Sequence, residues 1–194
     1  MDPIRDWRSR KESAIFAMPS FRGPDGFPDN SESPTKPGLM YIAAVSLLTF
    51  ILPAASVIAQ LFVFKSATGV LPLVGGWWVF WAVGVRLLIA GLRQAADPKF
   101  TAERIFNIKS AEPLVVVREL GFANISTGVL GVCTLFNGGW TMPAAIVGGL
   151  FYGLAGAGHV FKNERNLFEN VAMYSDLFVF VILLVYVIAT IVTQ

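Results

Sequence analysis

Cysteine and histidine are almost missing from this sequence. Its 194 residues include one cysteine, Cys133, and one histidine, His159. A single cysteine excludes an intrachain disulfide and a CxxC redox pair, and a single histidine excludes a haem held by two histidines. The zinc constellations, Glu-x-x-His di-iron pairs and glycine-rich phosphate loops of known enzymes are absent as well. We therefore predict no catalytic residue and no metal ligand.

Charged residues are also scarce in this sequence. Charged residues make up 14% of the chain, hydrophobic residues make up 55%, and the mean hydropathy is +0.62. Because soluble domains carry about 25% charged residues, we predict that the lipid bilayer surrounds most of this chain. The net charge is only +2, and no basic stripe is interleaved with aromatic residues. This pattern argues against a nucleic-acid partner.

The charge that is present is concentrated at the N-terminus. Residues 1–37 contain six Lys/Arg, six Asp/Glu and six of the eleven prolines. We expect them to form a cytoplasmic tail that begins with a short amphipathic helix over Pro3–Met18 and continues as extended chain. That helix would lie on an anionic membrane surface or dock on a partner. Residues 38–194 form the second predicted domain, which is embedded in the membrane.

Five apolar runs are long enough to cross a bilayer as helices, which needs about 20 residues each. The first run is too long for the apolar segment of an ordinary signal peptide, and Pro53 should kink it. Barrel strands would be shorter and would alternate in polarity. We therefore predict an all-α bundle of five transmembrane helices. The predicted spans are Leu39–Phe64, Gly75–Ala96, Leu114–Phe136, Trp140–Phe161 and Leu167–Val192.

The distribution of basic residues predicts the direction of the spans. Six Lys/Arg precede the first span, residues 97–113 contain three, and residues 162–166 contain two. The alternate connection over residues 65–74 contains only Lys65, and the C-terminus contains none. Because basic residues favour the cytoplasmic side, we predict a cytoplasmic N-terminus and an outer C-terminus.

Small residues recur at every fourth position in the third and fourth spans. Such stripes let helix backbones approach closely where water supplies no hydrophobic drive. We predict that they pack within the chain, with self-association or a partner subunit as the alternative. The stripes are Ala123, Thr127 and Gly131 in the third span, and Ala145, Gly149, Gly153 and Ala157 in the fourth.

Seven ionisable residues lie within the predicted spans, where charge is costly and functional roles are common. The topology places all of them in the cytoplasmic half, and we predict that Arg86 pairs with Asp176 or with Glu119. The seven are Arg86, Arg93, Arg118, Glu119, His159, Glu169 and Asp176.

Three interpretations of this polar cluster remain open. The first is a set of buried ion pairs that fixes the register of the bundle. The second is a polar cavity that binds a small head group such as a quinone, or passes protons, with His159 and Glu119 as titratable members. The third is a (bacterio)chlorophyll or haem ligand at His159, where the small residues Ala155–Gly158 would leave room for a flat macrocycle.

Three segments resemble an uncharacterised bacterial family of small integral membrane proteins: Arg118–Gly128, Tyr152–His159 and Asn166–Asp176. Residues 75–192 are also similar to the DoxX-like superfamily. Some members of that superfamily associate with quinone-linked sulfur oxidation or redox-stress complexes, and the resemblance implies such a role without transferring any catalytic residue.

From these features we expect a non-enzymatic accessory or scaffolding subunit of a larger, energy-converting membrane complex, with other membrane proteins as partners. The alternative is a DoxX-like redox component that binds a quinone near the polar cluster. A small transporter or a pigment-binding subunit is the third possibility, although the five spans show no inverted repeat.

Overall fold

The computed structural model describes residues 36–105, 114–162 and 165–193. Throughout these residues the regular structure is helical, and five helices are long and apolar enough to span a membrane. The predicted all-α architecture with five spans is therefore confirmed. The expected amphipathic helix over Pro3–Met18 lies outside the described residues.

Helix α1 joins Lys36–Ser46, a π-helical turn at Leu47–Ile51, Leu52–Ile58 and a second π-helical turn at Ala59–Val63. Helix α2 joins Val70–Trp78, a π-helical segment at Val79–Arg86 and Leu87–Ala96, and a short extension follows at Pro98–Phe100 and Thr101–Ile105. Helix α3 is Leu114–Cys133, helix α4 is Thr141–Val160 after a 3-10 turn at Gly138–Trp140, and helix α5 is Leu167–Val192.

Two prolines account for features of the first two helices. Pro53 has no N–H to donate to the carbonyl of Thr49 four residues earlier, and the helix widens into a π-helical turn just before it, where Leu52 N–H donates to Leu47 O. Helix α2 begins five residues before the predicted Gly75. Pro72 lies in its first turn, where a missing N–H is tolerated.

Glycines bring α2 and α3 together along their whole contact. A Cβ atom on Gly131 would lie 2.5 Å from Gly84 N, and one on Gly91 would lie 2.6 Å from Gly121 O. The predicted stripe on α3 is therefore correct only at Gly131. Ala123 is exposed and Thr127 is half-buried, because the face that meets α2 is instead formed by Gly121, Gly128 and Gly131.

The predicted stripe on α4 packs against α5. Ala145 is buried in the core, and Cβ atoms added to Gly149 and Gly153 would contact Leu183 and Phe180. Ala157 continues the same face and is half-buried. The contacts between α4 and α5 run in opposite chain directions, so the two helices are antiparallel.

The core lies where α2, α4 and α5 meet. Val79, Val83, Ala144 and Leu183 have essentially no exposed surface. At one end of the bundle, α1 begins, α2 ends, α3 begins, α4 ends and α5 begins, and the Tyr41 ring contacts those of Phe100 and Phe168. We call this the basic end, because it carries Arg93, Lys99, Lys162 and Arg165.

Candidate functional site

A cavity of about 570 Å³ lies between the helices toward the basic end. All five spans contribute to its wall. Tyr41 comes from α1, Arg86 from α2, Asn124 from α3, Tyr152 from α4 and Asp176 from α5. The cavity is therefore a feature of the assembled bundle and not of one helical hairpin.

A buried ion pair forms one end of the cavity. Arg86 Nη2 donates to Asp176 Oδ1 at 2.7 Å and to Ser175 Oγ at 3.0 Å. The structure thus contains the first of the two predicted pairings of Arg86. Because Arg86 and Asp176 are each about ten residues from their helix ends, they lie roughly 15 Å from the basic end, about half the thickness of a hydrocarbon core.

The rest of the Arg86 guanidinium faces an aromatic ring and the cavity. Its carbon lies 5.0 Å from the centroid of the Tyr152 ring, a cation–π distance. Nη1 is buried, and no acceptor lies within hydrogen-bonding distance of it among the residues that the structure describes. A cationic donor of the cavity wall is therefore left without a partner there.

Tyr152 is held by the widened part of α2. Its hydroxyl donates to the carbonyl oxygen of Ala82 at 2.6 Å, and Ala82 lies within the π-helical segment Val79–Arg86. A π-helical segment changes the backbone hydrogen-bond pattern and often marks a functional site. Here it ends at Arg86, so it fixes both the cation and the ring beneath it.

Two amide side chains form a second polar patch in the cavity. Asn124 Nδ2 donates to Gln94 Oε1 at 2.8 Å, and both side chains are buried. Thr101, in the extension after α2, is also buried and lines the cavity. These groups are uncharged at every ordinary pH.

Glu169 has a structural role at the start of α5. Its backbone N–H and that of Asn166 are satisfied reciprocally by the two side chains, a capping box. Its carboxylate also pairs with Lys162 from the connection before α5. Although Glu169 lines the cavity, its charge is balanced within the turn, as expected for an acidic residue in the first turn of a helix.

Apart from Arg93, the exposed residues that line the cavity are apolar. Met40, Ile89 and Leu154 line it, and each exposes more than half of its surface, at 71%, 52% and 74%. In a bundle with membrane-spanning helices, such residues face lipid. The cavity therefore opens toward the apolar surface of the bundle, while its polar groups lie inside.

The remaining predicted site residues lie in different surroundings. Arg93 lines the cavity but is exposed, with its guanidinium carbon 3.6 Å from the Phe100 centroid. His159 is half-buried and lines the cavity. Arg118 and Glu119 are exposed on the outer face of α3 and do not line it. The expectation that these two join the cluster is wrong, because α3 is rotated so that Gly121 and Asn124 face inward.

Within the described residues, no group of three or more His, Cys, Asp or Glu side chains lies close enough to hold a metal ion. Ligation of a pigment or haem by His159 stays a prediction.

Five polar residues of the cavity had no part in the sequence prediction of the site: Tyr41, Gln94, Thr101, Asn124 and Tyr152. Tyr152 is seven residues before His159 and shares a helix face with it, which was the available signal for that residue. For Gln94 the signal was its position next to Arg93. Uncharged polar residues are common enough in membrane helices that neither signal identifies a site.

Comparison with known protein families identifies a match that covers most of the chain. The family model described as "Family of unknown function (DUF6790)" matches residues 43–193. No curated protein and no solved structure matches the chain.

Proposed function

The chain belongs to DUF6790, a family of unknown function, and we propose that it is a non-enzymatic membrane protein that binds an apolar-tailed molecule drawn from the bilayer. The observation that carries this proposal is the cavity of about 570 Å³, which has the buried Arg86–Asp176 pair inside and exposed apolar residues at its rim.

The size and lining of the cavity suit a ligand. Binding sites for small molecules are commonly about 300–1,000 Å³, mostly apolar, with a few placed polar groups. Here the Arg86–Asp176 pair lies some 15 Å from the helix ends. A molecule with a polar head and an apolar tail matches both parts of the wall, since its tail can remain among Ile89, Leu154 and the lipid.

The polar groups of the wall support binding more than reaction. Arg86 is bonded to Asp176, Asn124 to Gln94, and Tyr152 to a backbone carbonyl. Side chains held in this way are positioned to orient a head group. Catalysis would call for a proton donor, acceptor or nucleophile poised toward the ligand.

The proposal places the basic end, with the N-terminus, in the cytoplasm, and the C-terminus outside. Its support is the concentration of Lys and Arg in the connections at the basic end, against Lys65 alone at the other. In line with the family resemblance of the sequence, we assign the protein to a bacterial inner membrane.

Binding is tested by filling the cavity. Ala155 lines it on α4, and Ala155→Phe places a ring in the space. We expect the wild-type protein, purified in mild detergent, to retain an apolar-tailed molecule detectable by mass spectrometry of the extracted lipids, and Ala155→Phe to lose it. Leu150→Phe is the matched control, because Leu150 lies on the same helix, is 59% exposed and is not part of the cavity. Equal ligand content in both variants would contradict the proposal.

A quinone is one candidate ligand, since its ring carbonyls accept hydrogen bonds and its isoprenoid tail is apolar. With a quinone the protein would match the DoxX-like redox alternative drawn from the sequence. The cavity supports the binding step of that alternative.

A second candidate function is that of an accessory subunit of a larger, energy-converting membrane complex. The observation that favours it is the outer face of α3, where Arg118, Glu119 and Ser126 are exposed together with Ala123. Charged side chains facing lipid are costly. A transmembrane helix of another subunit, with polar side chains of its own, would satisfy them and would pack closely at Ala123.

The particle in mild detergent tests this second candidate. We expect a mass above the 21.1 kDa of the chain that includes a defined membrane partner. Glu119→Leu combined with Ser126→Leu should release the partner, whereas Leu150→Phe on the exposed face of α4 should not. A particle that contains this chain alone would rule the candidate out.

A further inference from the structure

One nitrogen of Arg86 makes no hydrogen bond with the described residues, and this indicates which head groups the cavity could bind. This inference rests on the function proposed above, that the cavity is a binding site. Nη1 of Arg86 is buried in the cavity wall and finds no acceptor among the described residues, while Nη2 is saturated by Ser175 and Asp176. A buried cationic donor without an acceptor is costly. The head group that binds beside Arg86 should therefore supply an acceptor oxygen.

The charge balance around that nitrogen bears on the nature of the oxygen. Arg86 is neutralised by Asp176, and Glu169 is neutralised by Lys162. An anionic head group at Nη1 would bring a second negative charge close to the Asp176 carboxylate. Among the described residues that line the cavity, Arg86 is the only buried Lys or Arg, and His159 is half-buried. Arg93 lies about two helical turns away and is exposed at the edge, over the ring of Phe100.

Besides the ion pair, Arg93, His159 and the paired Glu169, the polar groups that line the cavity are neutral. Gln94 and Asn124 offer amides, and Thr101 offers a hydroxyl. Groups of this kind can orient carbonyl and hydroxyl oxygens at low desolvation cost, whereas a phosphate or carboxylate would have to give up its hydration in a neutral wall.

We propose that the cavity selects apolar-tailed molecules whose head group is uncharged and carries a carbonyl oxygen that accepts a hydrogen bond from Arg86 Nη1. Quinones and acylglycerols both present this chemistry. Anionic phospholipids and fatty acids are excluded from the site by the Asp176 carboxylate.

Four probes of similar tail length separate the possibilities: a decyl-substituted benzoquinone, didecanoylglycerol, didecanoyl phosphatidic acid and a decyl-substituted benzene. Didecanoylglycerol and didecanoyl phosphatidic acid differ only in the phosphate, so they form a matched pair. Each is titrated onto the full-length protein in a non-ionic detergent, and bound molecules are counted by native mass spectrometry. The benzoquinone or didecanoylglycerol, or both, should bind at least about tenfold more tightly than the other two probes, as expected for one hydrogen bond from a charged donor.

Two variants test the role of Arg86. Arg86→Met with Asp176→Leu replaces the pair by apolar side chains of similar volume, a change that buried ion pairs often tolerate. Arg86→Lys keeps a cation opposite Asp176 and removes the second nitrogen. In both variants we expect the uncharged carbonyl probes to bind at least about tenfold more weakly and binding of the benzene probe to be unchanged.

The outcomes separate the selectivity from the binding function. If phosphatidic acid binds as tightly as didecanoylglycerol and the benzoquinone, the inference is overturned while the cavity remains a binding site. Unchanged affinity of both carbonyl probes in the Arg86→Lys protein would also overturn it. If none of the four probes binds, or Ala155→Phe does not weaken any of them, the proposed function itself fails. Comparison of the benzoquinone with didecanoylglycerol then identifies which source of the carbonyl the protein prefers.

Discussion

Arg86 and Asp176 depend on each other, because each neutralises the charge of the other inside the bundle. They lie on different helices and are joined at 2.7 Å, with side chains only 11% and 9% exposed. Taking two charges out of water costs several kcal/mol per ion, and mutual attraction offsets this only while both partners are present. Each residue therefore limits which substitutions are tolerated at the position of the other.

Removal of Asp176 alone should strongly destabilise the protein. Asp176→Ala leaves Arg86 buried without a counter-ion, and we expect a loss of about 3–5 kcal/mol. Arg86→Met with Asp176→Leu should recover most of that loss, because neither charge then remains. Thermal unfolding in detergent measures both variants. Tyr174→Ala, on the exposed face of α5, is the control, and equal stability of Asp176→Ala and Tyr174→Ala would show that the pair contributes nothing.

The sequence predicted this pair because depth and helical spacing could be counted. Arg86 and Asp176 are each about ten residues from the same end of the membrane, which is all that a matched pair requires. Glu119 lies closer to the start of its helix and was the other predicted partner of Arg86. The rotation of α3 about its axis could not be predicted from the sequence. That helix has apolar residues on every side, so its buried face cannot be identified from the pattern of apolar residues.

At the scale of helices, the contact between α2 and α3 depends on the absence of side chains. A Cβ atom on Gly84 would lie 2.8 Å from Val132 N, whereas one on Gly76, in the same helix, would meet nothing within 4 Å. Gly84 therefore has no space for a side chain, whereas Gly76, in the same helix, has space for one.

Gly84→Ala should destabilise the protein, and Gly76→Ala should not. The added methyl at Gly84 must push two backbones apart, for which we expect a cost of about 1–3 kcal/mol. At Gly76 the same methyl enters open space and should be neutral or stabilising by up to about 1 kcal/mol, as for other helical glycines. The difference between the two variants in detergent unfolding is the measurement, and equal effects would argue against close packing at Gly84.

Helix existence could be predicted from composition, whereas helix register could not. Runs of about 20 or more apolar residues identify spans from their length and composition alone. All five predicted runs form helices in the structure. The π-helical turns are defined by which carbonyl oxygen accepts the hydrogen bond of each backbone N–H. The number and type of residues in a span do not predict this hydrogen-bond pattern. Small-residue spacing has a similar weakness, because α3 holds several overlapping stripes and only the one through Gly121, Gly128 and Gly131 faces a neighbour.

For the whole molecule, orientation in the membrane can be tested from the two ends of the α3–α4 pair. Phe136 and Phe161 lie near opposite ends and are 83% and 85% exposed. In a Cys133→Ser background, Phe136→Cys should react with a membrane-impermeant maleimide on intact cells, and Phe161→Cys only after permeabilisation. This follows from the placement of the basic end in the cytoplasm. Reversed labelling would invert the topology proposed for the chain.

The widened part of α2 has one more consequence, for tolerance to changes in chain length. In an α-helix each residue turns the following side chains by about 100°, so a deletion between Leu87 and Ala90 would turn Gly91 away from Gly121. The i→i+5 hydrogen bonds of the π-helical segment Val79–Arg86 wind the chain less tightly, so this segment takes up more residues per turn. A deletion within it is expected to return the segment to α-helical winding and to leave Arg86 beside Asp176, so α2 should tolerate a change in length better there than in Leu87–Ala96.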